Sequence, residues 1–327
     1  MEQAYMTAAE AAKKWGISDR RVRLLCSSGK IEGIVRTGRS YQIPREAVKP
    51  ADERTLRQKD IPAEYKSLFR RIDGKRDELL RRLREGGFCL EESHKEFLIE
   101  WIENSLANTG NDLSAEEIRT ILNGYPAEGR PLRKQLEVLG LQDAFEWIRE
   151  LAFGARLSES QLSEPQFPES QLSEPLLLKL HGLVLMDRRR EGGRYRTRLV
   201  QIPGTEDESP QPFMVPVMLD WLFREYAEKK KKLHALETIP RLYMDFQWIH
   251  PFSDGNTRVG WLLGNLELMR AGYLPVTVGA DQTEEYYQGL KSYYGGKGEA
   301  PMIRLVAGLE EKELESKDYR LMRSILC

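Results

Sequence analysis

A proline at position 251 breaks an apolar helical pattern that resumes within a few residues. Ile239 to Trp248 read as helix before it, and Val259, Leu262, Leu263, Leu266 and Met269 repeat at helical spacing after it. Proline disfavours helix for the residue that precedes it, so the chain has to turn at His250. Asp254-Gly255-Asn256 is turn chemistry. Gly272, with Pro275 beyond, stops the second helix. The segment therefore reads as a loop feeding a helix N-terminus.

That arrangement makes an anion site, because free backbone N–H groups and the positive helix end face the loop. Gly255 lets a phosphate approach the backbone, and Asn256 follows it. Arg258, one turn in, can bond phosphate oxygens through two N–H groups. Asp254 is a hard oxygen ligand suited to Mg²⁺ bridging phosphates. His250 titrates near neutrality as a free side chain and can take a proton from an attacking hydroxyl. Phe252 reads as an apolar pin. A lone His-Pro before a helix is ordinarily a helix boundary, and Asp-Gly-Asn ordinarily a turn. Four polar residue types aimed at one helix N-terminus favour an anion-binding active site for phosphoryl or nucleotidyl transfer.

The 327 residues are more than one ordinary core of about 150 residues needs, so a large domain plus a small one is expected. Cys26, Cys89 and Cys327 lie far apart, which argues against a disulfide framework and suits a reducing compartment. The four histidines, His94, His181, His234 and His250, share no metal-ligand spacing, so a transition-metal site is not expected. No apolar run approaches the roughly 18 residues of a membrane span, and no leader pattern opens the chain. A cytoplasmic location without membrane contact is the expectation.

Residues 1–50 form a self-contained pattern. Thr7 with Glu10 is a capping box for a helix through Trp15, and Ser18 caps a second helix from about Asp19 to Cys26. Ile31 to Ile34 and Tyr41 to Ile43 read as a hairpin closed by Pro44. Two short helices and a hairpin outline a winged helix-turn-helix. The segment carries ten Lys and Arg against five Asp and Glu, a balance of +5 that leaves −6 for the rest. Arg20, Arg21 and Arg23 on the second helix and Arg36 and Arg39 on the hairpin are candidate DNA-phosphate contacts. The competing reading is a solvated face used for protein contact. This segment resembles the MerR- and excisionase-type helix-turn-helix family, which implies a DNA partner.

Residues 51–62 read as linker. Helices are expected over 63–87, 92–106, 115–123, 132–152 and 176–186, with Ser114 and Glu117 forming a capping box for the third. The sequence Glu-Ser-Gln-Leu-Ser-Glu-Pro occurs at 159–165 and again at 169–175, two copies that are too few for a solenoid. Apolar stretches at 200–202 and 212–216 flank a polar loop and suggest a hairpin. Helices return at about 217–231, and 313–327 reads as a tail.

The stretch from Ile249 to Val276 resembles the Fic family motif, His-Pro-Phe-x-(Asp/Glu)-Gly-Asn-(Gly/Lys)-Arg with a further Arg three residues on. The resemblance extends over about 63–312. It implies a mainly α fold, a Fic helical bundle with a β-hairpin flap, beside the small winged helix-turn-helix domain. It implies a protein adenylyltransferase that moves AMP from ATP to a Ser, Thr or Tyr hydroxyl of a target protein. His250 would be the general base, Asp254 the Mg²⁺ ligand, and Gly255, Asn256 and Arg258 the phosphate holders. Val200 to Ile202 pairing with Phe213 to Val215 would form the flap, and Tyr287 would lie on the nucleotide side. Such domains often pair, which leaves a homodimer open.

The sequence departs from the family at Thr257, where Gly or Lys is usual, and at two further, coupled places. Trp261 stands where the second Arg is expected, and Thr109 stands where an inhibitory motif, here starting at Ser105 and ending at Gly110, carries its glutamate. Both halves of that ion pair are missing together, whereas losing one would strand a partly buried charge. Trp261 would then close the outer phosphate pocket or stack on a ligand. Three readings stay open: an unrestrained adenylyltransferase, a site for another nucleotide or diphosphate donor, and a DNA-binding regulator whose Fic domain senses nucleotide without turnover. Tyr294 falls near the position of an adenine-contacting Asn, so base identity is open too.

Overall fold

The computed structural model describes residues 5–15, 19–27, 31, 33–37, 40–48, 63–85, 91–106, 111–153, 172–202, 205 and 208–316, except that at some helix and strand ends only the backbone is described. Thr109, Gly110, Arg39, the 51–62 linker, the first Glu-Ser-Gln-Leu-Ser-Glu-Pro copy and most of the tail lie outside the described residues, as do the side chains of Arg20, Arg21 and Arg36. The chain divides into two compact units, Met1–Lys59 and Asp60–Cys327, each described here by itself.

In the small unit, β1 (Tyr5–Thr7) leads into α1 (Ala8–Trp15) and α2 (Asp19–Ser27), followed by β2 (Val35–Thr37) and β3 (Ser40–Pro44). The capping box forms: Glu10 N–H donates to Thr7 Oγ1 at 3.2 Å, and Glu10 Oε2 accepts from Thr7 N–H at 2.7 Å. The strands make one antiparallel sheet in the order β1-β3-β2. Sequence reasoning missed β1, whose three residues are too few for alternation to show. It also put the first hairpin strand at Ile31 to Ile34. The register instead pairs Val35 with Gln42 and Thr37 with Ser40, and Ile31 packs into the core with Ala11, Val22 and Ile43. Arg23 is exposed and pairs with Asp19 at 2.8 Å.

The large unit is helical: α3 (Ala63–Glu85), α4 (Glu91–Leu106), α5 (Ala115–Leu122), α6 (Leu132–Phe153), α7 (Glu174–Val184), α8 (Val215–Lys229), α9 (Ala235–Ile249), α10 (Asn256–Arg270), α11 (Thr283–Tyr294) and α12 (Ala300–Ser316). Helix α10 is buried on nearly every face and packs mainly against α9 and α6. A helix apolar all round belongs at the centre of a bundle. Buried polar side chains there need partners, and Asn265 and Glu267 have them. Asn265 exchanges two 2.8 Å bonds with the backbone of Val276, and Glu267 accepts from Tyr226 Oη and Arg270 Nη1, each at 2.7 Å. Gly260 lets α9 approach α10, because a Cβ there would lie 2.5 Å from Gln247 Nε2 and 2.9 Å from Tyr243.

The expected hairpin flap is not the observed structure. Residues Pro212–Met214 form a 3-10 turn, and Val215 opens α8 and is fully buried. Pro212 and Pro216 are the reason: each lacks a ladder donor, and each fits the first turn of a helix. The chain instead folds back nearer the turn. Gln201 bridges Glu208, Ser209 N–H donates to Val200 O at 2.9 Å, and Ile202 is wholly buried.

Candidate active site

Helix α9 ends on His250, which has φ +47, the one non-glycine residue with positive φ among the described residues. Its N–H still donates to Phe246 O at 3.0 Å. A left-handed histidine costs energy that the surroundings must offset, and such strain gathers at functional positions. Its ring is buried, and Nδ1 lies 3.3 Å from Gln247 O. A carbonyl only accepts, so Nδ1 carries the hydrogen and Nε2 keeps its lone pair. Burial, aided by the positive charge of Arg196, pulls this imidazole down to about 4 against the Gln247 bond. The sequence expectation of titration near neutrality is therefore corrected: desolvation disfavours the charged ring. At neutral pH His250 is a neutral acceptor.

The loop that follows is held from inside and outside. Asn256, the first residue of α10, closes it in both directions: Oδ1 accepts from Phe252 N–H and Nδ2 donates to Phe252 O, each at 2.9 Å. Phe252 is fully buried and stacks on His181, with centroids 3.6 Å apart and planes 10° apart. Gly255 takes φ +78, which explains glycine there. It caps α10 without a side-chain cap, leaving first-turn N–H groups for an anion.

Two anchors come from far away in the sequence. His181 on α7 is buried; its Nδ1 accepts from Gly193 N–H at 3.0 Å, so its Nε2–H donates to Asp254 O at 3.2 Å. Burial lowers its pKa to about 4, which keeps this tautomer neutral. Arg196 is buried, with no carboxylate partner among the described residues. Its guanidinium donates to the carbonyl oxygens of His250 at 2.7 Å, Arg198 at 3.0 Å, Pro210 at 2.5 Å and Ile249 at 3.3 Å. Sequence reasoning missed both roles. The signals were a histidine inside an apolar helix and a run of arginines over 188–198, but neither names its partner.

Asp254 is half-exposed. Its Oδ1 accepts from Gly255 N–H at 2.5 Å, and its Oδ2 is paired with Arg188 Nη2. Burial raises its carboxyl pKa, but the bond from Arg188 and the charge of Arg258 outweigh this and hold it below the ordinary value. Arg258 Nη2 lies 3.6 Å from Asp254 Oδ1, while its Nη1 is buried with no hydrogen-bond partner. A buried unsatisfied guanidinium N–H is costly and points to an absent acceptor. The cleft beside Asp254 is lined by Ser253, His181, Tyr195, Arg190 and Arg194.

The structure thus brings together His250, Asp254, Gly255, Asn256 and Arg258. Trp261, one turn beyond Arg258 on α10, is buried in an aromatic cluster, 4.5 Å from the Tyr243 ring and 6.4 Å from Tyr286. Tyr287 is exposed with its ring edge-on to Tyr286 at 5.1 Å. Tyr294 is buried beside Trp248, its hydroxyl without a hydrogen-bond partner. Ser105 Oγ donates to Trp101 O at 2.7 Å and lies 3.5 Å from Thr277 Oγ1.

A left-handed histidine, a glycine-capped helix N-terminus, a carboxylate and an arginine with one buried N–H unmet thus stand together where α9 passes into α10. Residues 171–268 match the model of the Fic/DOC family. The chain is 31% identical over 250 residues to a Drosophila willistoni protein named protein adenylyltransferase Fic, covering 75% of this chain and 46% of the relative. It is 30% identical over 278 residues to a Nematostella vectensis protein of the same name, covering 82% and 60%. The chain thus spans about half the length of the curated relatives it matches. The fold is similar to that of a solved fragment of Fic-1 from C. elegans, with TM-score 0.63, 25% identity, and coverage of 80% of this chain and 73% of that one.

Proposed function

We propose that this chain is a protein adenylyltransferase that moves AMP from ATP to a hydroxyl of a target protein. The observation that carries the reading is the pairing of a neutral His250, its Nε2 lone pair free for a proton, with Arg258, whose buried Nη1 has no acceptor. The names of the Drosophila and Nematostella relatives support it.

His250 Nε2 accepts the proton of the target hydroxyl as that oxygen bonds to the α-phosphorus of ATP. The bond from the α-phosphorus to the bridging oxygen breaks, and pyrophosphate leaves. The products are the adenylylated hydroxyl, pyrophosphate and a protonated His250, which a pKa of about 4 returns to neutrality at once. Arg258 and the first turn of α10 hold phosphate oxygens where charge accumulates. Asp254 fits Mg²⁺: one half-exposed carboxylate is too few donors for a protein cage and suits an ion that brings water and phosphate oxygens. When bound, the ion would neutralise phosphate charge.

α-Labelled and γ-labelled ATP, with His250→Ala as control, test the reading. Target label from the α-phosphate alone, lost in the variant, is expected; label from the γ-phosphate alone would move the assignment to a kinase. A second reading, nucleotide sensing without turnover, is favoured by Trp261 in place of arginine. ATP binding with no transfer to itself or a lysate selects it.

For the small unit we propose a winged helix-turn-helix that binds DNA. Its helix-helix-hairpin order and the +5 balance over residues 1–50 support this. Salt-sensitive DNA retention, lost on Arg21→Ala and Arg23→Ala, is the expected result. Retention indifferent to salt and to both substitutions would sink it.

A further inference from the structure

The family motif places a second arginine three residues after Arg258, and here that position is Trp261, packed against Tyr243 and Tyr286. The cation absent from α10 reappears from another element. Arg188 ends the 3-10 turn Met186–Arg188 that follows α7, and its Nη2 pairs with Asp254 Oδ2. Arg258 reaches the other oxygen of the same carboxylate, Nη2 to Oδ1 at 3.6 Å. Two guanidinium groups therefore flank Asp254, one from inside the motif and one from 70 residues before Arg258.

Arg188 is held in that position. Its Nε donates to Asp187 Oδ2 at 3.2 Å, and its Nη1 lies 3.7 Å from Glu191 Oε2. The Asp187 side chain is fully buried and is also bonded by Arg133 from α6 at 3.0 Å. The backing carboxylate is thus fixed from two sides, which orients the guanidinium toward the loop. The outward bond to Asp254 is the breakable one, because the Asp254 side chain is 46% exposed and the Arg188 side chain 23%. Ion pairs that water reaches are weak, whereas a guanidinium on phosphate oxygens makes two parallel charge-assisted bonds.

We propose that Arg188 is a phosphate-binding residue of this site. It contacts the outer, β- and γ-phosphates of the nucleotide and supplies from the α7 side the charge that Trp261 does not. This rests on the nucleotidyl-transfer reading. Arg258 and the helix N-terminus hold the phosphate that stays with the nucleoside, and Arg188 holds the part that leaves. The pairing with Asp254 is then its resting position, exchanged for phosphate when a triphosphate enters.

The test is calorimetric titration of the full chain with ATP and with AMP, each with Mg²⁺ and with EDTA, for wild type, Arg188→Ala, Arg188→Lys and Arg258→Ala. Arg188→Ala is expected to weaken ATP about tenfold, the size of one charge-assisted hydrogen bond, and to leave AMP within about twofold. Arg188→Lys should recover part of the loss, and the ATP effect should persist in EDTA. Equal weakening of ATP and AMP would make Arg188 merely structural and overturn the proposal. Unchanged or tighter ATP binding in Arg188→Ala would overturn it too, tighter binding being what a guanidinium that only covers Asp254 gives. ATP bound by wild type, lost in Arg258→Ala and intact in Arg188→Ala sinks this inference alone. No ATP binding by wild type sinks the nucleotide reading with it.

Discussion

Arg196 Nε donates to the carbonyl oxygen of His250 at 2.7 Å, and the Arg196 backbone N–H donates to the next carbonyl, Pro251 O, at 3.0 Å. The residue that holds the left-handed turn is thus 54 positions before it. It satisfies carbonyls that the end of α9 would otherwise bury unpaired.

Arg196→Ala should be among the most damaging substitutions in the bundle. It removes the donor for four carbonyls, of which the buried pair, His250 O and Ile249 O, are each worth about 1–3 kcal/mol when left unmet. Urea unfolding should show a loss of several kcal/mol. Arg196→Lys has one donor head against a spread-out acceptor set and should recover less than half. A loss below about 1 kcal/mol for the alanine variant would remove Arg196 from this role.

Acid should weaken the bundle in a defined window. His181 and His250 both sit at about 4 in the fold, below the ordinary 6.5 of the unfolded chain. The unfolded chain's histidines therefore bind more protons between those values, so the contribution of these two residues to stability falls as pH drops from about 6.5 to about 4. Each histidine contributes at most about 1.4 kcal/mol per pH unit in that window. Unfolding measured from pH 7 to pH 4 should show a shallower slope for His181→Asn than for wild type. Identical slopes would show that His181 is not buried neutral.

Gly255 and Gly260 should respond to alanine for different reasons. At Gly255 there is room, since an added Cβ would lie 3.5 Å from Leu185, but φ is +78. Gly255→Ala should cost about 1–2 kcal/mol of backbone strain. Gly260 has ordinary helical backbone but no room. Gly260→Ala forces α9 and α10 apart, should cost about 1–3 kcal/mol or more, and should move Gln247 from Asn256 O, now 3.1 Å away. A crystal structure of each variant distinguishes the two: shifted φ in the first, separated helices in the second.

Restoring the family arginine at 261 should fail. Trp261 is buried among tyrosine rings, and a guanidinium there would lose its water. Trp261→Arg should lose about 3–5 kcal/mol, the scale of an uncompensated buried charge. Trp261→Phe should lose less and leave ATP affinity near that of wild type. A fully stable Trp261→Arg protein with tighter ATP binding would show that the ring lines the phosphate pocket after all.

The loop-to-helix core of the site was legible because its signals are local. Proline after His250, glycine at a positive φ and an asparagine opening a helix each dictate geometry over four or five residues. The capping boxes at Thr7 and Ser114 were legible for the same reason. The flap misled because two short apolar stretches resemble strands, while Pro212 and Pro216 had already assigned the second one to helix starts. His181, Arg188 and Arg196 were missed because periodicity says which face a residue occupies and nothing about which distant loop meets it. The low pKa of His250 was invisible because only burial in the finished fold creates it.

The Asn256 clamp joins residues four apart, whereas the His181 and Arg196 anchors join residues 73 and 54 apart. Closing a loop costs entropy that grows with the logarithm of its length, so contacts of such different range form at different stages of folding. The short clamp can close as soon as α10 nucleates on α9. The left-handed histidine waits for α7 and the segment after it to dock. During synthesis both anchors leave the ribosome before the loop they hold, so the chain meets a waiting template when His250 emerges.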